Sequence, residues 1–191
     1  YDQPDVWREW WTNQNARSFY FIGKDNITFH AVTWPAELLG MGADFDHHMG
    51  SDAPQALVLP YDVPANEFMN LEGKKISGSN NWAVWGLDAL DRYDSDALRY
   101  YLAVAMPENR DTDWDWEDFY QRNNNELVAT WGNLVNRVLS FTWKNFDGKI
   151  PNPGQLRAPD HELLDKITAG FDLVGDHIEK VQLKAALAEA M

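Results

Sequence analysis

The sequence predicts an α/β unit followed by an all-helical one. Three observations carry this reading. Strand, glycine and helix signals follow one another within residues 18–39, short apolar strands recur between residues 56 and 73, and from Asp115 onward the apolar positions repeat with helical spacing. At 191 residues and 45% hydrophobic content, the chain can bury one large core or two modest ones.

In order, Trp7 to Asn13 is aromatic and amphipathic, as in a short helix, and Ser18 to Gly23 reads as a buried strand ended by glycine. A helix follows, capped by Asp25 or Asn26. It carries Phe29, Ala31, Val32 and Trp34 on its apolar side and runs through Pro35 to Leu39. Met41 to Ala56 is a glycine- and aspartate-rich connection, and Ala56 to Leu59 an apolar strand that Pro60 ends. Glu67 to Gly73 alternates like a hairpin strand and feeds a mobile loop, Lys74 to Asn81. Asp94-Ser95-Asp96 caps a helix from Ala97 to Met106, stopped by Pro107. The acidic run Asp111, Asp113, Asp115, Glu117 and Asp118 reads as a solvated loop and a helix N-terminus. Leu127, Trp131, Leu134, Val135 and Val138 then fall on one helical stripe. A Gly/Pro/Asn-rich link covers residues 146–159, and Asp160 caps a helical run from Leu163 to Val174 that leads to Val181–Met191.

Composition narrows the function classes. A net charge of -14 excludes a generally basic nucleic-acid surface, so no DNA partner is expected and any RNA contact must be local. No stretch approaches the roughly 20 apolar residues of a membrane span, and no signal peptide opens the chain, which places it in the cytoplasm with no membrane partner. Without cysteine, thiolate zinc sites are excluded within these residues and remain open only for segments outside them. Adjacent His47 and His48 make no metal site by themselves, and no metal ligand is assigned.

Gly73-Lys74-Lys75-Ile76-Ser77-Gly78-Ser79 combines flexible glycines, two cations and two hydroxyls, which suits a polyphosphate. Taken alone, it reads better as an exposed turn with lysines, and it lacks the spacing of a Walker loop. Lys75-Ile76-Ser77-Gly78-Ser79 resembles the Lys-Met-Ser-Lys-Ser signature of class I aminoacyl-tRNA synthetases, and the helix Asp96 to Tyr101 follows where that family has it. Phe21 to Asn26, with Phe29-His30 through Trp34-Pro35-Ala36, resembles the strand and helix on which the methionyl-tRNA synthetases build their methionine and ATP sites. Asn133-Leu134-Val135-Asn136-Arg137 resembles their anticodon-reading helix. The three matches keep the family's order and approximate separation over essentially the whole chain.

The resemblance implies that residues 1–114 are the second half of a Rossmann-like catalytic domain with a connecting region, and that residues 115–191 begin an α-helical anticodon-binding bundle. It implies a methionine-tRNA ligase that uses ATP with Mg2+, L-methionine and tRNA(Met). Lys75, Ser77, Ser79 and Lys74 would form the catalytic loop. Gly23, Asp25 and Lys75 would bind ATP, with Asp25 on the ribose, although the residues by themselves favour Asp25 as a helix cap. Both roles can hold together.

Asn26, His30 and Trp34 recur at i, i+4 and i+8 on one helix face. Core packing is the default for such a set, whereas the resemblance makes them the methionine pocket, where a thioether gains about 0.3–1.5 kcal/mol per aromatic contact. Asn133 and Arg137, an ordinary polar pair if taken blind, would read the CAU anticodon bases.

Two departures stand out. Gly78 replaces the signature's second lysine, and no His-Ile-Gly-His motif or first Rossmann half is present. The chain is therefore expected to be a partial product that does not form methionyl-adenylate by itself. The rival readings are a non-catalytic, synthetase-derived RNA-binding module and a class I synthetase for another amino acid, such as isoleucine, valine, leucine or cysteine.

Overall fold

The computed structural model describes residues 6–42 and 56–191, and the connection that carries His47 and His48 lies outside them. The chain divides into two units, one made of residues up to Phe68 with 108–110 and the other of Met69–Pro107 with Asp111–Met191.

In the first unit, helix α1 (Val6–Trp11) stops short of the predicted Asn13. Two local side-chain bonds compete with its backbone: Thr12 Oγ1 donates to the Arg8 carbonyl at 2.8 Å, and Asn13 Oδ1 accepts from the Asn15 N–H at 3.0 Å. The predicted strand Ser18–Gly23 contracts to β1 (Ile22–Gly23) and a single parallel bridge from Phe19 to Asp62. β1 pairs in parallel with β2 (Ala65–Asn66), Ile22 opposite Ala65. The partner segment carries Pro60 and Pro64, which have no N–H to give, so the ladder stays short. The predicted strand Ala56–Leu59 does not form; its Val58 N–H donates instead to the Trp11 carbonyl at 2.7 Å.

The helix predicted from Asp25 to Leu39 is a composite. A 3-10 turn (Lys24–Asn26) and a π turn (Phe29–Thr33) precede α2 (Trp34–Gly42). Its N-cap is Gly23, without a side-chain cap bond, so the expected capping by Asp25 or Asn26 is not what starts the helix. Pro35 accounts for the widening. Its ring collides with the carbonyl four residues back in a regular α-helix, and here the Trp34 N–H reaches five residues back to the Phe29 carbonyl.

In the second unit, β3 (Met69–Leu71) and β4 (Lys74–Lys75) form a hairpin, Leu71 opposite Lys74. Its turn residues Glu72 and Gly73 have φ of 50° and 73°, the left-handed pair that a tight hairpin demands. The loop expected to be mobile from Lys74 therefore begins as strand, and Ser77 and Trp82 close the rest by reciprocal backbone bonds of 2.8 and 2.9 Å. After α3 (Gly86–Leu90), α4 (Ser95–Val104) begins at the predicted cap, where the Asp94 carboxylate accepts from the Asp96 N–H at 2.8 Å.

β5 (Thr112–Trp114) arises within the acidic run read as a solvated loop. It joins β3 in parallel, giving the order β4-β3-β5. Asp115 caps α5 (Trp116–Arg122) through its bond from the Asp118 N–H at 2.7 Å. A π segment (Asn123–Gly132) leads to α6 (Asn133–Phe146), followed by α7 (Ala158–Glu179) and α8 (Leu183–Ala190). Asp160 lies inside the first turn of α7, accepting from the Arg157 N–H at 2.8 Å, and is not the cap expected of it.

The core of this unit is aromatic. Trp114 lies 4.9 Å from Tyr101 edge-on and 5.7 Å from Phe119 in a stack, with Leu71, Ala89 and Leu98 around them. Tyr101 and Phe119 are 1% and 2% exposed, a setting in which Phe→Ala typically costs about 3–5 kcal/mol. The Tyr101 hydroxyl is satisfied by donating to the Asp115 carbonyl at 3.2 Å and accepting from its N–H at 3.3 Å. In contrast, the predicted stripe on α6 is not covered among the described residues: Leu134, Val135 and Val138 are 38–56% exposed.

Two tyrosines tie this unit's stability to alkaline pH. Burial raises Tyr100 to about 12, reinforced by Glu126, whose Oε2 accepts its hydroxyl at 2.5 Å. Burial likewise raises Tyr101 to about 12. Since the ordinary value is about 10, the fold favours the protonated phenols, and their contribution is fully present below about pH 10. Stability is expected to fall as pH rises from there through about 12. Unfolding midpoints and tyrosinate absorbance measured together across that range check this, and Tyr100→Phe should flatten part of the fall.

Candidate functional site

A cleft in the first unit, 240 Å³ in volume, is lined by Tyr20, Phe29, His30, Thr33, Trp34 and Glu37. His30 and Trp34 meet there as expected; Asn26 does not line it. The Asn26 amide instead donates to Asp25 Oδ1 at 3.2 Å, and its backbone carbonyl lies 3.1 Å from His30 Nδ1. A carbonyl only accepts, so Nδ1 carries the proton and a neutral His30 keeps a lone pair on Nε2. The His30 ring tilts against Tyr20 at 5.8 Å, while Trp34 meets Trp11 edge to face at 6.1 Å. The buried indole N–H of Trp34 has no acceptor among the described residues. Aromatic walls with one imidazole suit an apolar, polarizable side chain.

Gly23 and Asp25 lie at the mouth of β1. A Cβ on Gly23 would come within 2.8 Å of Asp25 Oδ1, so glycine lets this exposed carboxylate fold back over the backbone. Lys24, between them, pairs with Glu67 and sits over the Phe68 ring at 4.6 Å, anchoring the turn.

The second unit holds the Lys74–Ser79 segment. Lys74 and Lys75 are exposed neighbours on β4, so alternation sends their side chains to opposite faces of the hairpin. Lys74 Nζ lies 5.2 Å from the centroid of the Trp82 ring. Ser77 and Ser79 bring their hydroxyls within 3.2 Å, and Ser77 Oγ also accepts from the Asn80 N–H at 3.3 Å. Both oxygens of Asp113 accept from the Gly73 N–H, at 2.9 and 2.7 Å, and hold the hairpin at its tip. This arrangement places one cation, Lys75, and two hydroxyls on a tethered loop, which can neutralise and orient phosphate oxygens.

Asn133 and Arg137 are both exposed, one helical turn apart on α6. The expected contrast between a polar outer face and a covered apolar one is absent, because Leu134, Val135 and Val138 are exposed as well.

Sequence reasoning missed Tyr20, Thr33 and Glu37 in the cleft, and Trp82 and Asp113 around the loop. Glu37 follows Trp34 at i+3 and was accessible to helical spacing. Asp113 was not, since it meets Gly73 across 40 residues.

A family model described as tRNA synthetases class I (M) matches residues 1–139. The methionine–tRNA ligase of Thermomicrobium roseum is 54% identical over 189 residues, 99% of this chain and 30% of that protein. That of Thermobifida fusca is 50% identical over 188 residues, 98% of this chain and 31% of that protein. A crystal structure of Mycobacterium tuberculosis methionyl-tRNA synthetase bound by methionyl-adenylate is similar at a TM-score of 0.75 and 29% identity, with 98% of this chain and 33% of that one covered. The chain spans about a third of the length of the relatives it matches.

The His30 contact makes a prediction that needs no ligand. In the full-length protein, imidazole nitrogen NMR of the neutral ring should show the Nδ1–H tautomer at His30. A dominant Nε2–H tautomer would contradict the contact with the Asn26 carbonyl.

Proposed function

The chain belongs to the tRNA synthetases class I (M) family, and on that premise we propose that it carries part of the active site and of the tRNA-binding surface of a methionine-tRNA ligase. One observation carries the reading: a single chain holds, in that family's order, the cleft with His30 and Trp34 and the Lys75–Ser79 loop.

In this reading residues 1–114 are the C-terminal half of a Rossmann-like catalytic domain, and residues 115–191 begin the anticodon-binding helices. The methionine side chain occupies the cleft, where the rings of Tyr20, Phe29 and Trp34 pack against its thioether, His30 lines the same wall, and Asn26 acts on it through His30. Asp25 accepts hydrogen bonds from the ATP ribose at the point where Gly23 lets the nucleotide near the backbone. Mg2+ enters bound to ATP, as part of the substrate. Among the described residues no group of three or more His, Asp or Glu is placed to hold a metal ion.

The methionine carboxylate attacks the α-phosphorus, and pyrophosphate leaves as methionyl-adenylate forms. A ribose hydroxyl at the tRNA terminus then attacks the methionyl carbonyl and AMP leaves. Activation depends on positioning and on charge compensation, with no covalent enzyme intermediate. Lys75 faces the charge that develops on pyrophosphate, and Ser77, Ser79 and Lys74 complete the loop. Asn133 offers an amide edge and Arg137 a planar set of donors to the CAU bases, a local contact that a chain of net charge -14 can make. No described helix is long and apolar enough to cross a membrane.

Lys75→Ala in the full-length enzyme is expected to slow single-turnover adenylate formation by about 100- to 1,000-fold, a loss of about 2.7–4 kcal/mol, while methionine binding barely changes. An unchanged rate would end the phosphate reading of this loop. Gly78→Lys should keep or raise the rate, because a Cβ there meets Trp85 at an ordinary 3.6 Å.

The cleft makes its own prediction. His30→Ala and Trp34→Ala should each raise the KM for methionine and leave ATP binding comparatively intact. Normal methionine kinetics with only a lower Tm would assign both residues to packing.

A further inference from the structure

We infer that Lys74 and Trp82 form a latch that positions the loop between them, so that Lys74 acts through Trp82 and not on a phosphate; the inference rests on the proposed phosphate role of that loop. Trp82 is the point at which three parts of the hairpin meet. Its indole Nε1–H donates to the Leu71 carbonyl on β3 at 3.1 Å. Its ring receives Lys74 Nζ from β4 at 5.2 Å, within the roughly 6 Å over which a ring face attracts an ammonium. Its backbone exchanges both hydrogen bonds with Ser77, at 2.8 and 2.9 Å.

Leu71 and Lys74 are themselves opposite one another in the hairpin, so the ring bridges a paired position on both strands. Ser77, which Trp82 clamps, in turn orders Ser79 and Asn80 through its hydroxyl. Strand alternation sends Lys74 to the face opposite Lys75. An ammonium held there by an indole does not address the phosphate that Lys75 addresses. The latch also gives a reason for a tryptophan at this place: a smaller ring loses the bond to Leu71, and an aliphatic side chain loses Lys74 as well.

The test is a double-mutant cycle in the full-length enzyme on two half-reactions, adenylate formation and transfer to tRNA from preformed methionyl-adenylate. Lys74→Met and Trp82→Leu should each slow adenylate formation about 2- to 30-fold, the range of a cation–π contact. The double variant should be no slower than the worse single one, since each substitution breaks the same latch. Transfer from preformed adenylate should not change. Lys74→Arg should recover most of the loss, because a guanidinium keeps the ring contact. Should Trp82→Leu fail to fold, Trp82→Gln, which has no ring face but keeps an N–H donor for the Leu71 carbonyl, replaces it in the cycle, and Lys74→Met should then cost nothing further in that background.

Additive losses would overturn the latch and make Lys74 an independent charge donor. Equal losses in both half-reactions would overturn it in favour of a general structural effect. Lys75→Ala separates the two readings: if it slows activation while the cycle is additive, only the latch fails, and if it leaves activation unchanged, the phosphate role fails and the latch with it.

Discussion

Burial of Trp114 between Tyr101 and Phe119 is the constraint from which the second unit's architecture follows. Trp114 is the last residue of β5, and strand alternation turns its neighbour Asp113 to the other side. There the Asp113 carboxylate grips the Gly73 N–H with both oxygens. The turn it grips is strained at Glu72, a non-glycine residue with φ of 50°, where a left-handed backbone costs about 1–2 kcal/mol. Neighbouring bonds offset that cost: the Glu72 N–H donates to the Trp114 carbonyl at 3.1 Å, and Glu72 Oε1 accepts from the Trp116 N–H at 3.4 Å. The indole buried in the core thus holds the turn that orients Lys74 and Lys75.

Widened helical turns set the direction of the other functional side chains. Before α2, the π turn answers the ring of Pro35 and places His30 and Trp34 around one cleft while leaving Asn26 outside it. Before α6, the segment Asn123–Gly132 has the same character, and Thr130 Oγ1 reaches five residues back to the Asn125 carbonyl at 2.8 Å. A wheel drawn at 3.6 residues per turn misplaces residues beyond such a segment, and Asn133 and Arg137 lie just beyond it. The segment starts from a firm base. Arg122 is bonded to Asp118 at 3.0 Å and to Glu126 at 3.2 Å, and Glu126 also takes the Tyr100 hydroxyl from α4.

Local chemistry was legible and pairing was not. Asp94 read as part of a cap, and the acidic run as a helix N-terminus, because a carboxylate bonds an N–H only two or three residues away. A hairpin strand ending at Gly73 was legible from its alternation and terminal glycine, but the turn at Glu72-Gly73 and the return strand Lys74–Lys75 were not, since Glu72 read as strand and Lys74 as loop. Ala56 to Leu59 read as a strand from its apolar run, yet a run of β-formers becomes a strand only where another backbone supplies donors and acceptors, and its Val58 N–H went to α1 instead. β5 was hidden for the reverse reason, since its acidic residues look solvated until the pairing of Asp113 with Gly73 and the burial of Trp114 are seen.

The amino-acid sequence by itself determined the helical second half, the cap at Asp94, the family and the residue types of both candidate sites, because these depend on neighbours along the chain or on motif identity. Only the tertiary structure decided that His30 and Trp34 share a cleft without Asn26, that Lys74 and Lys75 leave the hairpin on opposite faces, and that Trp82 and Asp113 hold the loop. The physical reason is distance along the chain. Asp113 reaches Gly73 across 40 residues, and Trp82 reaches Leu71 across 11, through bonds that exist only once the core around Trp114 has brought the strands together.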